Sequence, residues 1–229
     1  LRIGKSHVNI KKNFMTVIHY GNETITSGPL ATNAYLLTGS KGHALIIDPT
    51  FDTANIFLKQ IREMKLTPVA ILLTHSHFDH IVDVARLKRS LKIPVYIHEK
   101  DSKNLKHPGS DGIYIEWNIE PCEADHLWRG GEEVQLKEFT FKVIHTPGHS
   151  FGSCCFYFQT EGVLISGDTL FKGTMGILSL PTSEPEKMWE SLRTLSKLDP
   201  NIKVYPGHGA PTTIGGEAWM KDARQLFGD

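Results

Sequence analysis

Residues 74–80 read THSHFDH, and they follow directly on Val69 to Leu73 (VAILL), a short apolar run of the kind that forms a buried strand. In extended chain, residues two apart project to the same side, so His75 and His77 can share one metal ion. Asp79 and His80 are adjacent, where the next helix should begin, and can turn toward a second metal position. Four ligand-type side chains therefore stand together at the end of one strand.

Three more ligand candidates occur in similar settings. His149 lies in TPGHS after a run ending at Ile144, Asp168 in SGDTLF after Val163 to Ser166, and His208 in PGHG after Lys203 to Tyr205. Each stands beside a glycine at the end of a short apolar run. Strand ends fix side-chain direction, and glycine lets the backbone turn sharply into a site. Imidazole and carboxylate donors suit zinc, iron and manganese, and no thiolate is needed. The set predicts two divalent cations, zinc foremost, with iron or manganese as alternatives. The chain has twelve histidines. His7, His19, His43, His98, His107, His126 and His145 lack this setting and read as ordinary surface or core residues.

Around these motifs, short apolar runs alternate with amphipathic stretches. Phe14 to His19 reads as a strand. Ala34 to Leu37 and Ala44 to Ile47 read as a hairpin across a turn-rich link. Asp52 to Lys65 reads as a helix capped by Asp52, with Phe57, Ile61 and Met64 on one face. Pro68 is expected to break the chain before Val69 to Leu73. Ile81 to Leu91 reads as a helix and Pro94 to Ile97 as a strand, giving a βαβ-type layer. Residues 99–131, rich in Gly, Pro, Asp and Asn, read as a long excursion with little regular structure, either a substrate loop or a solvated insertion. Phe139 to Ile144, Cys154 to Phe158, Val163 to Ser166 and Lys203 to Tyr205 read as strands. Ser183 with Glu186 has the form of a capping box opening a helix that buries Met188, Leu192 and Leu195. No linker or repeat interrupts residues 15–229, which read as one domain.

Lysine plus arginine equals aspartate plus glutamate, so the formal charge is zero. That gives no reason to expect nucleic acid or an anionic membrane as partner. The expected partner is a small-molecule substrate, and the oligomeric state stays open. The three cysteines, Cys122, Cys154 and Cys155, read as reduced structural thiols of a reducing compartment, foremost the cytoplasm. Residues 1–14 are basic and free of acid. They read as an extension, either the remnant of an organellar transit peptide or appended non-native sequence. No apolar stretch approaches the ~20 residues that span a bilayer.

The pattern HSHFDH, with His149, Asp168 and His208 following in order, resembles the signature of the metallo-β-lactamase superfamily, and the likeness runs from about Thr24 to Met220. The resemblance implies an α/β fold, an αββα sandwich of two mixed sheets with helices outside and metals in a cleft at one edge. It implies that His75, His77 and His149 hold the first metal, that Asp79, His80 and His208 hold the second, and that Asp168 bridges them. Asp48, in IIDPT, falls where relatives place a carboxylate that supports a ligand histidine. Asp79 would also orient the catalytic water.

Within the superfamily, SGDTLFKG, LPTSEPEKMWESL and YPGHGAPTTIG are similar to glyoxalase II and its short bacterial relatives. The implied activity is metal-dependent hydrolysis of a thioester such as a hydroxyacylglutathione. A mononuclear-iron persulfide dioxygenase is the alternative, with lactonase or β-lactamase beyond it. Three features depart from the glyoxalase II pattern. The helical C-terminal domain of the long form would follow His208, after which only about 20 residues remain. Ile177 follows TMG where relatives carry Arg or Lys to help hold glutathione. Ile81 and Asp83 replace a small residue and a glycine. These departures argue against glutathione being bound in the usual way.

Overall fold

A computed structural model describes residues 16–20, as a strand, and residues 30–228. The expected N-terminal extension, residues 1–14, lies outside the described residues. The elements run β1 (Thr16–Tyr20), β2 (Ala34–Thr38), β3 (His43–Ile47), α1 (Thr53–Glu63), β4 (Thr67–Leu72), α2 (Phe78–Ile81), α3 (Val84–Leu91), β5 (Val95–His98), α4 (Ser102–Lys106) and β6 (His126–Trp128). They continue with β7 (Glu133–Leu136), β8 (Phe139–His145), β9 (Cys154–Phe158), β10 (Val163–Gly167), α5 (Pro185–Leu195), β11 (Lys203–Pro206) and β12 (Thr212–Thr213). A 3-10 segment (Gly215–Asp222) and α6 (Ala223–Phe227) follow.

The strands form two six-stranded sheets, ordered β1-β2-β3-β4-β5-β6 and β12-β11-β10-β9-β8-β7. β3, β4, β5 and β6 are parallel, and the β2–β3 hairpin is antiparallel. In the second sheet only β10 and β11 are parallel. One core lies between the sheets, where Tyr35, Leu45 and Leu72 meet Phe141, Phe156 and Ile165. A second covers the outer face of the first sheet with Phe57, Val84 and Leu87. A third packs α5, through Met188, Leu192 and Leu195, on the outside of the second sheet. Helix, sheet, sheet and helix are thus the four layers the resemblance implies. The period-two geometry of β9 splits the cysteine pair, with Cys154 in the inter-sheet core and Cys155 facing α5. All three thiols are free and buried.

Several local expectations change. Asp52 adopts a left-handed backbone and makes no side-chain cap to α1. Asp83 takes that task from the α2–α3 junction, its Oδ2 accepting the Ala54 N–H at 2.7 Å. Met64 is exposed rather than on the core face. Pro68 does not end the strand but sits inside β4, where a register shift falls opposite Ala44 and Leu45. β5 joins β4 only from Ile71 onward, so the missing proline N–H removes no ladder bond on that side. The helix after the HxHxDH stretch starts early, at Phe78, and breaks before α3. The capping box at Ser183 does not form, since the Ser183 hydroxyl donates to the His149 carbonyl at 3.1 Å. The excursion at 99–131 holds α4 and β6 and adds Leu105, Ile119 and Cys122 to the core.

Two histidines outside the metal motifs form a stacked pair under the excursion, His98 on His145, with ring centroids 4.1 Å apart. Burial foremost, then the His145 ring, lowers the His98 pKa to about 4. Between pH ~6.5 and about 4 the unfolded chain binds a proton that the fold refuses. The contribution is therefore whole above the unfolded pKa and declines as pH falls. Urea unfolding at pH 7 and pH 5 should show about 1 kcal/mol of acid destabilisation that His98→Gln lacks, after discount for the polar rim of the stack. Equal pH sensitivity in both proteins would refute this.

Candidate metal centre

Strand direction gathers the site. β3 and β4 are parallel, as are β10 and β11, and β8 lies antiparallel to β9, which is antiparallel to β10. The C-terminal ends of β3, β4, β8, β10 and β11 therefore meet along one edge of the sandwich. Asp48, the HxHxDH stretch, His149, Asp168 and His208 emerge from those five ends. β2 runs against β3, so the residues just before it arrive at the same edge. The Asn33 N–H donates to the Gly207 carbonyl at 2.7 Å, and Asn33 Nδ2 donates to the carbonyls of Pro206 and Gly209. These bonds tie the two sheets together there.

All seven predicted ligands converge. Three donor sets each have their atoms within 4.8 Å of one another: His75, His77 and His149; His75, His80 and Asp168; Asp79, His80 and His208. Asp168 stands between the groups. Its Oδ1 is 3.4 Å from His80 Nε2, and its Oδ2 is 3.4 Å from His149 Nε2 and 3.3 Å from His208 Nε2. His77 Nδ1 and His149 Nε2 lie 2.7 Å apart. All but His208 are buried.

Each ring is held from behind. His75 Nδ1 meets Thr74 Oγ1 at 3.1 Å, and His80 Nδ1 meets Asp48 Oδ2 at 3.1 Å. His149 Nδ1 faces the Ile177 carbonyl, His208 Nδ1 the Leu30 carbonyl, and His77 Nε2 the Thr182 hydroxyl. One nitrogen of every imidazole is thereby fixed on the protein, and the other points into the cluster, which sets tautomer and orientation. Asp48 supports His80, and its carboxylate also accepts the Thr74 N–H and hydroxyl at 2.8 and 2.6 Å.

The donor chemistry fits cations. His75 Nε2, His80 Nε2 and Asp168 Oδ1 are buried without a hydrogen-bond partner, an arrangement that costs free energy unless something else satisfies them. The carboxylates set a field that favours positive charge. Burial alone would lower the His208 pKa, but Asp168 and Asp79 carry it to about 10. Burial alone would raise the Asp79 carboxyl, but His80 and the bonds from His208 and Thr32 bring it to about 2. His77 goes the other way, to about 3, through burial and the neighbouring His149 ring, so it offers a free lone pair at neutral pH. Backbone room is tight. A Cβ on Gly207 would strike the Asp168 carboxylate and come within 2.8 Å of the His80 ring.

Sequence reasoning missed two residues of the site. Thr32 donates to Asp79 Oδ2. Asp101 accepts the Ser76 N–H at 3.0 Å, the Ser150 hydroxyl at 2.9 Å and the Gly152 N–H at 2.7 Å, and so joins the loop of His75 and His77 to that of His149. His43, His98, His126 and His145 stay outside the cluster, as expected. Beside the centre opens a cleft of about 280 Å³, walled by Leu30, Phe78, Ile113, Phe171, Ile177 and Leu180 together with the donors. Ile113 comes from the excursion, whose Trp117 stacks on Phe78 at 5.5 Å. The excursion therefore forms part of the wall. Ile177 faces this cleft. Ile81 instead lies in the core and Asp83 against α1, so of these substitutions only Ile177 bears on what the cleft can bind.

The family model of the metallo-β-lactamase superfamily matches residues 27–208. The chain belongs to that superfamily. Within the metallo-β-lactamase superfamily, it is 37% identical over 190 residues to the probable metallo-hydrolase YqgX of Bacillus subtilis, covering 82% of this chain and 89% of the relative. It is 32% identical over 176 residues to a hydroxyacylglutathione hydrolase of Francisella tularensis subsp. novicida, covering 77% and 62%. The solved structure of BLEG-1, a B3 metallo-β-lactamase, superposes with a TM-score of 0.83 at 36% identity, covering 93% of this chain and 100% of that one. TTHA1623, solved in a di-iron-bound form, gives 0.71 at 38%, covering 83% and 94%. These superfamily relatives support an enzyme of the metallo-hydrolase class with a two-metal centre. Among the described residues no helix is long and apolar enough to cross a membrane.

Proposed function

We propose that this chain is a metal-dependent hydrolase cleaving a thioester, of the hydroxyacylglutathione type or a related acyl compound. The observation that carries the reading is the interlocked donor sets with three buried atoms left unpartnered. His75, His77 and His149 would hold one cation, Asp79, His80 and His208 the other, and Asp168 would reach both. Zinc suits these donors, and iron is the alternative that the di-iron form of TTHA1623 supports. When bound, such a pair supplies hydroxide near neutral pH and polarises a carbonyl oxygen.

The chain's own residues do the rest. Asp79, ionised and held by Thr32, is a weak base, so its part is to orient the attacking water by accepting a hydrogen bond. The apolar wall from Phe78 to Ile177 takes the acyl group and keeps bulk water out. Every titratable side chain lining the cleft belongs to the donor set, so none is free to protonate a departing group. A thiolate, with pKa near ~8.5, leaves without that help, whereas an amine does not. This favours thioesters over the β-lactams that the likeness to BLEG-1 brings into consideration.

The test is a panel of thioesters, lactones, β-lactams and glutathione persulfide on protein of known zinc or iron content, with His77→Ala as the blank. Thiol release should be the fastest reaction and should stop on chelation. Faster lactam or lactone opening, or oxygen consumption on the persulfide, would overturn the reading.

A further inference from the structure

His77 is a shared wall. On its far side from the apolar cleft lies a second chamber of about 190 Å³, also lined by Lys100, Lys103, Ser110, Phe151 and Thr182. Its character is different. Two carboxylates border it, but both are engaged with the protein. Asp101 holds Ser76, Ser150 and Gly152, and Asp111 accepts the Ile113 N–H and the Asn104 amide. Asn104 in turn spends its carbonyl on the N–H groups of Gly109 and Asp111. Lys100 and Lys103 are different again. Neither ammonium has a carboxylate partner among the described residues, whereas Lys88 and Lys106, on either side in sequence, both do. The chamber thus presents two unpaired cations, two and five residues after the end of β5, next to a metal-ligand candidate.

The apolar cleft offers no such cation, because Ile177 stands at its lip. The two chambers share His77 as a lining residue, and they differ in what each can bind. We propose that the second chamber is an anion subsite, in which Lys100 and Lys103 receive the carboxylate or phosphate carried by the thiol half of the substrate while the acyl half fills the apolar cleft. This rests on the thioester reading and deepens it. It also accounts for Ile177: an anionic thiol carrier needs no basic residue at that position if its charge is met on the opposite side of His77.

Binding and turnover test it separately. S-Hexylglutathione, with carboxylates, and neutral S-hexyl-N-acetylcysteamine are titrated into the metal-loaded protein, and S-hexylpantetheine, neutral, beside its 4′-phosphate, anionic through phosphate alone, separates phosphate from carboxylate as the source of charge. The anionic thioether should bind about tenfold more tightly than the neutral one, and more weakly as salt rises. In Lys100→Ala/Lys103→Ala that preference should collapse, while circular dichroism confirms the fold. In turnover the same loss should appear in KM for the anionic thioester rather than in kcat. Equal binding of charged and neutral thioethers, or a preference that survives the double substitution, overturns the subsite whether or not thioesters prove to be hydrolysed. Failure of every thioester as substrate, with the binding preference intact, would overturn only the reaction.

Discussion

Asp168→Asn is expected to lower thioester kcat/KM on the order of 10³-fold, and to leave the protein with close to one cation per chain. The reason is positional. Among the described residues, Asp168 is the one carboxylate whose two oxygens face both groups of imidazoles: Oδ1 toward His80, Oδ2 toward His149 and His208. Asparagine keeps the volume but replaces one oxygen with an N–H donor, which cannot ligate a cation. It also removes the negative charge that offsets two divalent ions in a buried place. Burial opposes that charge, yet His80 and His208 hold the carboxyl well below the usual range, so the native residue is ionised wherever the enzyme works. Metal content by elemental analysis, beside steady-state rates, checks the prediction. An Asn variant with two cations and activity within tenfold of the parent would show that the two ligand groups do not depend on a bridge.

Much of this was legible because the decisive signals are local. The HxHxDH stretch, its apolar strand and the hairpin before it are short-range patterns, and each ligand lies within eight residues of a strand end. What escaped reading depends on partners far along the chain. Asp101 answers to Ser76 and Gly152, and Thr32 to Asp79. Nothing in the local sequence distinguishes Asp101 from the solvated acids around it. The weak elements failed for another reason. β6 is three residues long, β7 is a half-exposed strand at the sheet edge, and α4 carries two lysines in five residues with no apolar period. Capping signals misled where tertiary structure overrode them: Asp52 turns left-handed and Asp83 serves α1 instead, and Ser183 spends its hydroxyl on the backbone of His149.

Asp101→Ala is expected to cost about 3 kcal/mol of stability and to weaken cation binding by about 10- to 100-fold. The carboxylate is buried, and its two oxygens satisfy the N–H groups of Ser76 and Gly152 and the Ser150 hydroxyl. Alanine leaves two backbone donors without their acceptor at the wall of the second chamber, and each such loss costs about 1–3 kcal/mol. The functional effect has a separate origin. Ser76 sits between His75 and His77, and Ser150 follows His149, so Asp101 sets the spacing between the two loops that carry the first ligand group. The close fit leaves no slack, since a Cβ on Gly152 would come within 2.5 Å of the Asp101 carboxylate. Loosening the two loops should therefore release cations from the group of His75, His77 and His149 before the group of Asp79, His80 and His208. Competition with a chelator, followed alongside thermal unfolding, separates the two consequences. A variant that melts with the parent has another acceptor for those amides. One that melts early but holds both cations equally well would show that the ligand spacing is set by the strand ends alone.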